Sequence, residues 1–145
     1  SVARRCSDRL RTQLGVGYVR AHNDTDDRPI AQTPPLEGVV GVDYDGAGWT
    51  MGGRIRAATA QDRVDTQSSA GNDLGLDVRK TPGWAVLDLY GSYEINGQLM
   101  VDFGIDNVFD KGYAQHLNRE NVLDGSQVQV NEPGRSAWLK LSGEF

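Results

Sequence analysis

The chain has 145 residues, is 38% hydrophobic and 24% charged, and carries a net charge of −5. That length allows one domain with a modest core, and the acidic balance excludes a nucleic-acid partner held on a basic face. No apolar run of about eighteen residues is present to form a transmembrane helix. Three Trp, five Tyr and recurrent apolar alternation argue against disorder.

The opening, SVARRCSD, lacks an apolar leader, so for an exported protein the true N-terminus is expected upstream or removed. It carries the single cysteine, Cys6, which reads as incidental rather than as a metal or redox group. From Leu10 onward the dominant period is two. Leu10, Thr12, Leu14, Val16 and Tyr18 oppose Arg11, Gln13, Gly15, Gly17 and Val19. Leu36, Gly38, Val40, Val42 and Tyr44 oppose Glu37, Val39, Gly41, Asp43 and Asp45. Trp49, Met51, Gly53, Ile55 and Ala57 then oppose Thr50, Gly52, Arg54 and Arg56.

Alternation resumes at Trp84, with Ala85, Leu87, Leu89, Gly91, Tyr93 and Ile95 set against Val86, Asp88, Tyr90, Ser92 and Glu94. Leu99, Val101, Phe103 and Ile105 oppose Met100, Asp102, Gly104 and Asp106. The last segment sets Ala137, Leu139, Leu141, Gly143 and Phe145 against Ser136, Trp138, Lys140, Ser142 and Glu144. These segments predict six strands. Their connections alternate in length: residues 23–35, 65–83 and 108–134 are long, Asp45–Gly48 is a short turn, and Asn96–Gly97 reads as a two-residue type I′ turn with positive φ. An antiparallel meander follows, with short turns at one end and long loops at the other.

A soluble sheet also alternates, but three features favour a membrane barrel. The strands run to about ten residues, the length of a tilted membrane-spanning strand. Aromatic residues stand at strand ends: Tyr44, Trp49, Tyr93 and Phe145 by the short turns, Tyr18 and Trp84 by the long loops. Charges sit mid-strand on one parity (Arg54, Arg56, Asp102, Lys140), as a wet lumen permits. Leu87, Leu89, Val101, Phe103, Ile105, Leu139 and Leu141 are therefore expected on one apolar face. Asp88, Met100, Asp102, Lys140 and Ser142 are expected on the other.

At Gly104–Tyr113 the chain reads GIDNVFDKGY. Asn107, Val108, Phe109, Asp110 and Tyr113 resemble the signature that ends the penultimate strand of TonB-dependent receptors. The final strand closing on Phe145 resembles that family's C-terminal strand, and PIAQTPPLE (Pro29–Glu37) followed by strand, turn and strand also fits. YAQHLNR (Tyr113–Arg119) and VNEPGR, which holds Asn131, Glu132, Pro133, Gly134 and Arg135, look most like the copper-receptor branch. The resemblance implies an all-β, up-and-down meander in which residues 1–145 are the C-terminal portion of a barrel of about 22 strands around a plug. The plug and earlier strands would lie outside this chain. It further implies location in the bacterial outer membrane among its lipids, and TonB-coupled import of a scarce solute such as copper or a metal complex. TonB would engage through the missing plug region, and the barrel assembly machinery would read the last strand at Phe145.

No cofactor, catalytic group or metal site is implied. His22, His116, Met51, Met100 and Cys6 are soft-ligand candidates without ligand spacing; they read as a loop histidine, gap-filling methionines and an incidental thiol. Met100 and His116 are the two positioned to see a solute. Asp24, Asp26 and Asp27 make the first loop acidic, and the three loops net −2, −1 and −2, together the whole chain's −5. They read as a solvated or cation-bridged surface sooner than a cation-gathering field. No GxSxG, HExxH or paired-carboxylate signature appears. An outer-membrane barrel enzyme and a soluble β-sheet binding module are the alternatives from other classes, separated by a hydrolysis assay and by solubility without detergent.

Overall fold

The structure, a computed structural model, describes residues 2–25, 27–66, 77, 79–118 and 129–143. Its strands are β1 (Val2–Arg5), β2 (Leu10–Gly17), β3 (His22–Asn23), β4 (Arg28–Pro29), β5 (Glu37–Asp45), β6 (Trp49–Ala58), β7 (Trp84–Asn96), β8 (Leu99–Asp106) and β9 (Ser136–Gly143). Seven form one sheet in the order β1-β2-β5-β6-β7-β8-β9, and β3 pairs with β4 separately. Each strand of the large sheet pairs antiparallel with the next one along the chain, which makes an up-and-down meander. Turns at 6–9, 46–48 and 97–98 gather at one end. The connections 18–36, 59–83 and 107–135 leave and rejoin the sheet at the other.

The six predicted strands are all present, and β1 is a seventh. Its sequence, VARR, is too short for a period to register. Pairing with β2, Val2 opposite Leu14 and Arg5 opposite Arg11, is what makes it a strand.

Opposed residues in an antiparallel pair project to the same face, so register decides facing. Leu14, Val40, Ile55 and Leu87 form one row across the sheet, and Tyr44, Met51, Gly91, Phe103 and Leu139 form another on the same side. On the opposite side Asp43, Gly52, Tyr90, Gly104 and Trp138 align, as do Thr50, Ser92, Asp102 and Lys140. The parity predicted for Leu87 to Leu141 and for Asp88 to Ser142 is the parity observed.

Burial is inverted relative to a water-soluble domain. Leu139 is 75% exposed and Val16 67%. Among the described residues the buried hydrophobic side chains are Ala58, Val86 and Tyr113, whereas Asp88 is 0% exposed. An apolar sheet face this open calls for an apolar solvent or partner.

Two local expectations are corrected. The β7–β8 reversal falls on Gly97–Gln98, one residue later than Asn96–Gly97, because the register shifts between Glu94 and Asn96 and Asn96 pairs with Leu99. Asn96 Oδ1 then accepts from Gln98 N at 3.0 Å. Gly97 does not have positive φ, so the type I′ assignment fails. At the β5–β6 turn the left-handed residue is Gly48 (φ 76°), a conformation glycine adopts without steric cost.

The second correction concerns Trp84. It stands on the polar side, stacked on Tyr113 with ring centroids 4.4 Å apart, and is no lipid-side anchor by the long loops. Of the short-turn band, Tyr44, Trp49 and Tyr93 stand as expected, Trp49 opposing Tyr93 on the apolar face and lying 5.6 Å from the Tyr44 ring, while Phe145 lies outside the described residues.

Candidate functional site

The polar face is a lattice of charge pairs set by register. Arg54 lies directly opposite Asp88, and Arg56 stands two residues along on the same face. Asp88 accepts from Arg54 Nε and Nη2 (3.3 and 3.2 Å) and from Arg56 Nε and Nη2 (2.9 and 3.3 Å). Asn107 N donates to the same carboxylate at 3.0 Å. A fully buried carboxylate with five donors has its lone pairs satisfied, the condition under which a buried ion is tolerated. Further along the face Tyr90 Oη donates to Asp43 at 2.7 Å, its ring lying where a Gly52 Cβ would otherwise stand. Lys140 faces Asp102 at 3.6 Å.

The resemblance-derived residues meet where the third connection leaves β8. Asn107 (φ 51°) and Asp110 (φ 54°) are both left-handed, which Asn and Asp tolerate better than other side chains. Asn107 closes a ring on Lys111, Nδ2 donating to its carbonyl and Oδ1 accepting from its N–H, each at 2.9 Å. Asp110 Oδ1 accepts from Arg135 N at 2.8 Å, and Val108 O lies 3.4 Å from Arg135 Nη1. Glu132 N donates to Tyr113 O at 2.8 Å, and Asn118 Nδ2 donates to Glu132 Oε1. Burial pushes the Tyr113 phenol above its ordinary pKa of 10.0, which Arg56 opposes in part. Pro133 and Gly134 line a small polar recess with Arg54, Arg56 and Tyr113. Phe109 stays apart from this group, 78% exposed. The segment behaves as a clasp that returns the third connection to the strand ends. Phe145, Arg119 and Asp26 lie outside the described residues.

A second polar cluster lies among the long connections. Asp77 Oδ1 accepts from Gln32 N at 2.7 Å and Oδ2 from Asp65 N at 2.8 Å. His116 Nε2 lies 3.3 Å from Asp77 Oδ1, and its Nδ1 bonds Thr81 Oγ1 at 2.9 Å. Gln61 Nε2 donates to Thr33 O at 2.7 Å, and Arg28 pairs with Asp65 at 3.4 Å. His116 is therefore buried, its side chain 2% exposed, and does not face solute at a mouth.

The other soft-ligand candidates stay scattered. Cys6 is exposed beside Thr12 and His22 pairs with Asp27 at 3.2 Å. Met51 is on the apolar face and Met100 on the polar one. Among the described residues no group of three or more His, Cys, Asp or Glu is placed to hold a metal ion.

The sequence pattern described as TonB dependent receptor-like, beta-barrel matches residues 5–108. The chain belongs to the TonB-dependent receptor β-barrel family. Solved structures similar to it include the copper transporter OprC, 31% identical, covering 99% of this chain and 22% of that one, with a TM-score of 0.84. The ferric enterobactin receptor PfeA of Pseudomonas aeruginosa is 20% identical over 99% of this chain and 21% of its own, TM-score 0.70. The ferric citrate transporter FecA is 22% identical over 95% and 21%, TM-score 0.72. At those identities the last two show the fold alone. A curated relative, the ferric enterobactin receptor of Pseudomonas aeruginosa, is 34% identical over 65 residues, 43% of this chain and 9% of that protein. The chain thus spans about a fifth of the solved chains it matches and under a tenth of the curated relative.

TonB-dependent receptors are outer-membrane proteins of Gram-negative bacteria, which accounts for the open apolar face: acyl chains are its solvent. The relatives are receptors and transporters, not enzymes. Sequence reasoning missed the roles of two buried carboxylates, Asp88 and Asp77. Asp88 was recoverable, since Arg54 and Arg56 share its parity one strand earlier. Asp77 had no comparable signal, because Gln32 and His116 stand 45 and 39 residues away in sequence and Asp65, 12 away, meets it through its backbone.

Proposed function

We propose that this chain is the C-terminal wall of a receptor that imports copper, or a copper complex, across the outer membrane. The observation that carries the metal is the likeness to the copper transporter OprC. It spans 99% of the chain at 31% identity, against 20–22% for the ferric-complex receptors of similar fold. The outer membrane holds no ATP, so energy would arrive from an inner-membrane complex through TonB, acting on a plug supplied by another part of the protein. The charged face of β5 to β9 suits contact with such a plug, and the long connections would form the mouth. A second reading, uptake of a ferric catecholate complex, draws on the 34% identity over 65 residues to the ferric enterobactin receptor.

Uptake by a strain lacking the full-length receptor separates the two. Reduced copper accumulation, restored by the gene, supports the first reading. Loss of ferric-siderophore uptake with copper unchanged replaces it with the second. Within this proposal Phe145 serves assembly, because burying one aromatic ring contributes only about 1.5–3 kcal/mol, too little to decide a barrel's stability. Deleting Phe145 in the full-length receptor should lower its abundance in outer-membrane fractions while uptake per inserted molecule stays near normal. Unchanged abundance with impaired uptake would show that the residue acts in transport.

A further inference from the structure

The three long connections follow different strands and are separated in sequence by whole hairpins, yet the one between β6 and β7 is tied to both others. Toward the first (18–36) its contacts among the described residues include Gln61 Nε2 to Thr33 O at 2.7 Å, Thr59 N to Leu36 O at 2.9 Å, Arg28 to Asp65 at 3.4 Å, and Gln32 N to Asp77 Oδ1 at 2.7 Å. Toward the third (107–135) its contacts among the described residues include Thr81 Oγ1 with His116 Nδ1 at 2.9 Å, Arg79 Nε to Gln129 Oε1 at 2.9 Å, and Asp77 Oδ1 with His116 Nε2 at 3.3 Å. Asp77 belongs to both sets. Its carboxylate is 3% exposed, and Oδ1 serves both neighbouring connections at once.

Two further observations show that this carboxylate holds its neighbours in place against local preference. Gln32 has φ 60°, a left-handed conformation that a long side chain does not favour, and its N–H is the group Asp77 receives. Such a residue persists where its surroundings over-determine it. Among the described residues His116 Nε2 is buried with no aligned hydrogen-bond acceptor, and the Asp77 carboxylate lies 3.3 Å from it.

We infer that Asp77 is the keystone coupling the first and third connections through the second, so that displacing either is transmitted to the other. Coupling of this kind needs an element on which both sides bear, and the carboxylate is that element. Its consequence is mechanical: a solute engaging one connection would shift the opening equilibrium of all three. The inference does not depend on which solute the receptor carries.

Hydrogen exchange on the full-length receptor in detergent micelles tests it. Asp77→Ala, which removes both acceptor oxygens, should raise amide exchange about tenfold in both 27–36 and 107–118, matching the loss of satisfied buried hydrogen bonds. His116→Ala should raise it in 107–118 alone, because Asp77 still holds Gln32. If the Ala variant fails to insert, Asp77→Glu, which displaces the acceptor by one methylene, should give the same two-sided pattern at smaller amplitude. Faster exchange confined to 59–66 and 79–83 in the Asp77 variants would overturn the inference, as would an equal rise in 27–36 for His116→Ala.

Discussion

At the short-turn end each reversal closes within a few residues: Gly46 N reaches Trp49 O at 2.7 Å, Cys6 N reaches Leu10 O at 2.8 Å, and Asn96 Oδ1 receives Gln98 N at 3.0 Å. At the opposite end the ties join groups far apart in sequence: Gln32 with Asp77 across 45 residues, Thr81 with His116 across 35, and Arg135 with Asp110 across 25. The near-end reversals are closed within each hairpin, and what joins one to the next is largely the backbone ladder, as in Glu94 N to Gly48 O at 2.8 Å. The far end draws on buried polar side chains, Asp77 and His116 among them, whose partners come from other connections. Local closure costs little chain entropy and tolerates change, whereas buried polar groups are costly once a partner is lost. Substitutions at the far end should therefore destabilise more than those at the near end.

Asp88 gives the largest expected effect. Asp88→Ala strands two guanidinium groups and the Asn107 N–H at the base of the third connection, and should cost about 3–5 kcal/mol, as expected when one partner of a buried ion pair is removed. Urea titration of the inserted full-length receptor, followed by heat-modifiable gel migration, measures it. A loss below about 1 kcal/mol would mean that the cluster is hydrated like a surface pair and that the two ends do not differ.

The sheet between the two ends gives the next effect. Phe103→Arg places a cation mid-strand on the apolar face, where the cost near the bilayer midplane is roughly 2–4 kcal/mol. Asp102→Arg, one residue away on the lumen side, should perturb the same titration far less. Equal losses would contradict the assignment of faces.

The smallest effect belongs to the near end. Gly97 has ordinary φ, and an added Cβ would meet nothing within 4 Å. Gly97→Val should therefore stay within about 0.5 kcal/mol of the parent, the range for exposed positions without special features. A loss well above that would restore the left-handed turn that Asn-Gly suggests.

Much of the wall was legible in the sequence. Strict alternation from Leu99 to Asp106 and from Ser136 to Gly143 announced the strands, and the parity of Asp102 and Phe103 announced their faces. The GIDNVFDKGY segment announced the family. Legibility ended where a residue's role depends on something brought to it from elsewhere. Val2–Arg5 is a strand only through β2. Asn96–Gly97 yielded to Gly97–Gln98 because the irregularity at Glu94/Asn96 changes which residues oppose each other. Trp84 satisfied the aromatic-belt pattern but meets Tyr113 on the lumen side.

Period and composition thus determined that this chain makes long antiparallel strands with one lipid-compatible face, since side-chain direction in a strand is fixed by a residue's parity along its own backbone. Only the tertiary structure decided that Asp88 gathers two arginines and Asn107, and that Asp77 joins Gln32 to His116. Those pairings depend on cross-strand register and on where long connections fold back, and neither is encoded in the residues adjoining either carboxylate.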